Sequence, residues 1–176
     1  MTAPRRPNVF QSAWVVPEIE SAIERWAAGA GVGPFFVGDF DNPYPKLEYR
    51  GKPGVMNQRT AWAQAGDTQI ELIEPRGDQP NVYRDVIAEG ETRFHHIGRW
   101  TDDFEADVAH LNAQGFETAM LQPEGPTRIA YLDSFATYGC MIELCERAIL
   151  EGMFARIAEH CAAWDGTNPV RTLADL

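Results

Sequence analysis

Four polar residues fall at matching places in two stretches of the chain. Gln11 and His96 stand near the starts of short extended runs, and Glu71 and Glu143 each lie between aliphatic neighbours, in Ile70-Glu71-Leu72 and Ile142-Glu143-Leu144. A Gln oxygen, two carboxylates and an imidazole nitrogen are donors for a divalent ion such as Zn, Ni, Co, Fe or Mn, with positions left open for substrate. An ion chelating adjacent oxygens of a substrate polarises its carbonyl, so that a proton on the neighbouring carbon becomes acidic and a carboxylate can remove it. Each residue also has a structural reading. A lone Gln is commonly a surface side chain, His95 competes with His96, and a Glu in an Ile-Glu-Leu strand is commonly on the solvent face of a half-exposed sheet. What favours chemistry is the equivalence of the two halves.

That equivalence is an internal repeat. Laying the segment from Gln11 onto the segment from His96, a shift of 85 positions, brings Ile19, Ile23 and Trp26 onto Phe104, Val108 and Leu111. Both sets are spaced i, i+4, i+7, as one buried helical face requires. Pro17 with Glu18 and Glu20 starts the first helix, and Asp102 or Asp103 with Glu105 the second; Gly29 and Gly115 suit their ends. The runs before them, Gln11 to Val16 and His96 to Thr101, read as strands. Further strands follow at 61–65, 68–74, 128–132 and 140–146, with a shift of 72 relating the two Ile-Glu-Leu segments.

Side chains alternate across a strand. If Ile70, Leu72, Ile142 and Leu144 pack under the helices, Glu71 and Glu143 point to the other face, with Gln11 and His96 beside them. The same parity brings Trp100, Met141 and Ile73 alongside and predicts an apolar substrate body, aromatic or polycyclic. Residues 31–60, with Gly33-Pro34, Asn42-Pro43, Pro45, Gly51 and Pro53-Gly54, read largely as loop, with a strand at 47–50. Lys46, Arg50, Lys52 and Arg59 in this stretch offer a site for an anionic substrate group, or a solvated rim. Ile149, Met153, Ile157, Cys161 and Trp164 recur at helical spacing and predict a C-terminal helix, packed on its own sheet or paired with a second copy.

The totals bound the reading. With 176 residues, 44% of them hydrophobic, the chain can bury one substantial core. Residues 1–146 are expected to form one domain of two modules, about 9–75 and 94–146, with 147–176 a helical extension. The 15 basic and 26 acidic residues give a net charge of -11, which disfavours a nucleic acid partner. No apolar run is long enough for a membrane span or a signal peptide, so the expected location is the cytoplasm. Cys140, Cys145 and Cys161 lack the paired spacing of a zinc knuckle or redox motif and read as reduced thiols.

With WVVPEIESAIERW, YRGKPG, AWAQAGDTQIELIEP, HHIGRWTDD and MIELCE in place, the chain resembles the vicinal oxygen chelate superfamily over residues 9–146, specifically its glyoxalase-like and methylmalonyl-CoA epimerase-like members. The resemblance implies an α+β fold, two βαβββ modules forming a U-shaped mixed sheet around one divalent ion, Zn first. Gln11, Glu71, His96 and Glu143 occupy its ligand places. The Gln, Glu, His, Glu order is similar to zinc-type glyoxalase I, whereas epimerase-like relatives usually have His in place of Gln11. The resemblance implies a base at Glu143, then Glu71, with Glu48 a third choice because epimerases of this group carry one on the preceding hairpin. It also implies a lyase, isomerase or epimerase acting on a small carbonyl or acyl substrate, and a homodimer. An Fe(II) dioxygenase, which normally uses two His and one carboxylate, a metal-free binding protein and a purely structural module are the alternatives. No glutathione or CoA site is recognisable.

Overall fold

The computed structural model describes residues 8–42, 46–125 and 127–176; Pro43 and Pro45 lie outside them. The first matched segment folds as β1 (Val9–Val15), α1 (Ile19–Ala30), β2 (Phe35–Asp41), a small hairpin of β3 (Glu48–Tyr49) and β4 (Lys52–Pro53), then β5 (Asn57–Ala65) and β6 (Thr68–Pro75). The second folds as β7 (Arg93–Thr101), α2 (Phe104–Ala113), β8 (Glu117–Gln122), β9 (Ile129–Asp133), the one-turn α3 (Phe135–Tyr138) and β10 (Met141–Glu146). Helix α4 (Arg147–Ala162) follows directly, then β11 (Val170–Thr172) and a terminal 3-10 turn.

Local chemistry explains the helix ends. Glu18 caps α1 by accepting from the backbone N–H of Glu20 and Ser21, and Asp103 caps α2 by accepting from Ala106. The expected stop at Gly29 is corrected: α1 runs on to Ala30, and Gly31, at φ 66°, takes the left-handed position that ends it. Ile19 and Ile23 are fully buried with Ile70 and Leu72 beneath α1, and Phe104 and Leu111 bury Ile142 and Leu144 beneath α2. Each such side chain contributes about 1.5–3 kcal/mol.

All strands join one mixed sheet, in the order β11-β2-β5-β6-β1-β7-β10-β9-β8-β3-β4. At its centre β1 and β7 run antiparallel, with Gln11 opposite Gly98 and Ala13 opposite His96; each pairs outward, in parallel, with the last strand of its own module, β6 or β10. The stretch 31–60 is less of a loop than its Pro and Gly content predicts. Phe35, Phe36 and Val37 are buried in β2, an apolar run too short to separate from loop by periodicity. The β3–β4 hairpin reaches across to the other module, pairing Glu48 with Leu121 and Tyr49 with Met120 of β8.

Two coverings close the face opposite α1 and α2. The connection between the modules buries Val82, Tyr83 and Ile87 over one part, together with Leu47, Met56, Ile73 and Met141. Helix α4 lies over another, with Phe154 and Ile157 buried against Phe36, Trp62 and Trp100. The buried face of α4 is shifted from the expected one: Leu150 and Phe154 turn inward with Met153 and Ile157, and Ile149 stays 51% exposed. Among the described residues no helix is long and apolar enough to cross a membrane.

Candidate metal and substrate site

Register brings the four sequence-predicted ligands together. Glu71 pairs with Ala13, which also faces His96, while Gln11 and Glu143 flank Gly98 from opposite sides. All four are buried. His96 Nε2 lies 3.1 Å from both Glu71 Oε2 and Glu143 Oε2, and ligand atoms of these three residues lie within 4.8 Å of one another. Donors bound to one ion at about 2.1 Å stand about 3.0–3.4 Å apart, and both distances from His96 Nε2 fall in that range.

Three atoms of this cluster are buried without a hydrogen-bond partner: His96 Nε2, Glu71 Oε2 and Gln11 Oε1. At 3.1 Å the ring nitrogen is close enough for charge attraction but poorly aligned for a hydrogen bond to either carboxylate. Orphaned buried polar atoms are costly, and three converging ones are what an ion would satisfy. Their other atoms are tied back. Gln11 Nε2 donates to Gln69 Oε1 at 2.7 Å, which leaves Oε1 as the free end; Trp62 Nε1 donates to Glu71 Oε1 at 2.8 Å, leaving Oε2.

The neighbouring His95 sets the His96 tautomer. His95 Nε2 lies 3.1 Å from the Val82 carbonyl, which can only accept, so the proton sits on that nitrogen. Burial, together with the nearby His96 charge, lowers His95 to about 3 and keeps it neutral. Its Nδ1 is therefore an acceptor, and His96 Nδ1, 3.1 Å away, must donate to it. His96 Nε2 is left as the nitrogen that either carries a proton or ligates, the arrangement expected around a metal-bound imidazole.

Electrostatics follow from the cluster without an ion. Burial favours neutral His96, but the carboxylates of Glu143 and Glu71 outweigh it and raise the ring to about 9. Burial also raises Glu71, beyond what His96 and Trp62 offset, with Glu143 repelling it further. Burial pushes Glu143 the same way, yet His96 and hydrogen bonds from Tyr131 and Cys145 prevail and hold it low. The Tyr131 hydroxyl lies 3.2 Å from that of Tyr83, and either can be the donor of the pair.

A sign follows for the metal-free protein. His96 is raised from 6.5, so its contribution is fully present below about pH 6.5 and lost as pH rises through 9. His95 is depressed, so its contribution is present above 6.5 and lost as pH falls toward 3. Chelator-treated protein should therefore melt highest near pH 6.5. Thermal unfolding at about pH 5, 6.5 and 9 checks this, and a melting temperature rising steadily to the highest pH would contradict the imidazolium cluster.

The site opens into a cavity of about 220 Å³ whose polar lining is Gln11, Glu71 and Glu143, with Gln58, Tyr83, Thr127, Tyr131 and Cys145. Its apolar wall combines Phe40, Met56, Trp62 and Ile129 of the two modules with Leu150, Met153, Phe154 and Leu173 of the C-terminal segment. The other sequence-predicted residues are not brought there. Ile73 and Met141 have the expected parity but are sealed under Tyr83 and Met56. Trp100 stacks on Phe10 with ring centroids 3.8 Å apart. Glu48 is exposed on β3, between Pro53 of β4 and Leu121 of β8. Arg50 pairs with Asp85 and Asp133, and Arg59 with Glu20 and Asp39, so neither is an unpaired cation facing the cavity. Lys46 pairs with Glu124, and Lys52 is exposed.

Gly98 carried no chemical signal, yet it sits between Gln11 and Glu143. A methyl group there would stand 2.5 Å from Gln11 Oε1 and 2.8 Å from Gln11 Cβ. The Cβ cannot move without the backbone, so Gly98→Ala is expected to cost about 1–3 kcal/mol and to weaken metal binding. Gly29→Ala, with nothing within 4 Å of its added methyl, should instead stabilise α1 by about 0.5–1 kcal/mol. Parallel thermal melts and metal titrations compare the two; equal behaviour would remove Gly98 from the site.

Two βαβββ modules sharing one sheet around a buried Gln, Glu, His and Glu define a vicinal oxygen chelate protein. The family model of the Glyoxalase/Bleomycin resistance protein/Dioxygenase superfamily matches residues 10–132, and the chain belongs to that superfamily. No curated protein matches it. Among solved structures, a hypothetical protein from Bacillus halodurans is similar at 18% identity and TM-score 0.55, over 78% of this chain and 92% of that one. Methylmalonyl-CoA epimerase from Mycobacterium tuberculosis is similar at 17% identity and TM-score 0.55, over 83% and 91%. A variant of the Streptomyces coelicolor epimerase, in complex with 2-nitronate-propionyl-CoA, reaches 18% and 0.55, over 81% and 98%. These likenesses are of fold.

Proposed function

We propose that the chain is a metal-dependent isomerase, epimerase or lyase that moves a proton next to the carbonyl of a small, partly apolar substrate. The observation that carries it is the buried trio with His96 Nε2 at 3.1 Å from two carboxylates, Glu71 and Glu143, both of which line a cavity. His96 Nε2, Glu71, Glu143 and Gln11 Oε1 would hold one divalent ion, Zn first. When bound, such an ion supplies Lewis acidity toward a carbonyl oxygen.

The chain's own residues do the rest. Glu143 takes the proton, its carboxylate held low by His96 first and by Tyr131 and Cys145 after it, the Cys145 sulfur lying 3.3 Å from Oε2. Glu71, held by Trp62, is the second carboxylate available to return a proton. The aromatic wall keeps water from the reacting carbon.

Elemental analysis of protein purified without chelator tests the reading. About one Zn, Ni, Co or Mn per chain supports it, and iron redirects attention to oxygenase chemistry. Absence of metal after incubation with each ion leaves a metal-free binding protein.

A further inference from the structure

We infer that this site takes a substrate whose body is a single ring or an alkyl group of that size, uncharged apart from the vicinal oxygens it presents to the ion. The inference rests on the metal-chelate reading above and adds the size and charge of what enters. Three observations carry it.

The first is volume. An apolar cavity of about 150 Å³ holds one benzene, and a water occupies about 30 Å³ of liquid. A cavity of about 220 Å³ is therefore filled by one ring with about two oxygens, and a second fused ring would have to extend beyond it. The second is shape and chemistry. Trp62 meets Phe40 edge-on at 6.0 Å and Phe154 at 6.2 Å with a 42° tilt, so three aromatic rings line the cavity. The third is charge. Among the described residues lining the cavity there is no Lys or Arg, and the nearby Arg50 and Arg59 are engaged by carboxylates. Phosphates of a nucleotide handle, or the two carboxylates of a tripeptide conjugate, would find no cation inside.

The wall that sets this size is partly the chain's own C-terminal segment. Leu150, Met153 and Phe154 come from α4, and Leu173 from the terminal turn, all after β10, the last strand of the second module. Selectivity is thus assigned to the extension, while the chelating donors come from the shared sheet.

A hydroxamate series separates the two. Each member presents the same pair of adjacent oxygens to an ion, so acetohydroxamate reports on the ion alone, benzohydroxamate adds one ring and 2-naphthohydroxamate two. With the full Zn-loaded chain in a calorimeter, benzohydroxamate is expected to bind at least tenfold tighter than acetohydroxamate and at least tenfold tighter than 2-naphthohydroxamate. Coenzyme A and glutathione should not displace it. In Leu173→Ala, or Met153→Ala should the first fold poorly, the two-ring compound should gain at least tenfold while acetohydroxamate is unchanged. Equal binding of acetohydroxamate and benzohydroxamate, full acceptance of the two-ring compound by the unmodified chain, or displacement by coenzyme A overturns the substrate class and leaves the metal site standing. Failure of acetohydroxamate itself overturns the metal site and this inference with it.

Discussion

Glu143→Gln is expected to slow deuterium uptake from D₂O at the carbon beside the carbonyl of 2-hydroxyacetophenone by about 10²- to 10⁴-fold, at saturating metal. The substitution keeps the shape of the side chain and an oxygen for the Tyr131 hydroxyl, but an amide cannot take a proton, and a positioned general base contributes about that factor. It corresponds to about 3–5 kcal/mol of barrier at about 1.36 kcal/mol per tenfold. Because Glu143 also faces the ion, metal content is measured on the same sample. Glu71→Gln is the comparison: loss of exchange there, with exchange retained in Glu143→Gln, would move the base to Glu71. Full exchange in both variants would end the proton-transfer reading. Glu48→Gln should leave exchange unaltered, since Glu48 is exposed away from the cavity.

The second large effect is expected from His96→Ala. In the metal-free state this ring is charged and lies between two buried carboxylates. Removing it leaves two like charges facing one another with little solvent, and breaking a buried pair in this way costs about 3–5 kcal/mol. For a chain of this size a loss of about 1 kcal/mol lowers the melting temperature by about 2–4 °C, so a fall of about 10 °C is expected. Metal content should drop from about one ion per chain to less than about a tenth, because the imidazole is the neutral nitrogen donor of the set. The wild-type fall in stability between pH 6.5 and 9 should disappear with the ring. A variant that keeps its metal while losing only stability would show that His96 is structural and that the ion binds elsewhere. The converse, metal lost with no change in melting of the chelator-treated protein, would show that the imidazolium is not paired in the metal-free state.

Much of this site was legible in the residue order because repetition and strand parity are local properties. Ile70-Glu71-Leu72 and Ile142-Glu143-Leu144 each state which side chain is turned from the helices, and the shift that aligns α1 with α2 also aligns Gln11 with His96. The choice of His96 over His95 came from that register. What the sequence could not show is that both rings are used, one buried as the acceptor that fixes the other's proton. An adjacent pair on a regular strand points to opposite sides, but here the register of β1 against β7 skips His95, and the two Nδ1 atoms lie 3.1 Å apart.

By itself, the sequence determined the paired modules, where the two helices begin to within a residue or two, the strand parity shared by Glu71 and Glu143, and the presence of a C-terminal helix, since each follows from spacing along one or two elements. Tertiary structure alone decided what shares the cavity with Gln11, Glu71 and Glu143. Trp100, Met141 and Ile73 have the correct parity, but a face of a sheet is not yet a cavity: α4 and the connection through Tyr83 cover them. Trp62, Tyr131, Phe154 and Leu173, distant from one another in the chain, form the wall instead. The same holds for Gly98, whose importance is the space it leaves between Gln11 and Glu143. Parity is fixed by backbone geometry residue by residue, whereas enclosure depends on which distant segments pack against a face, and that is set by the sum of many burial contacts across the whole chain.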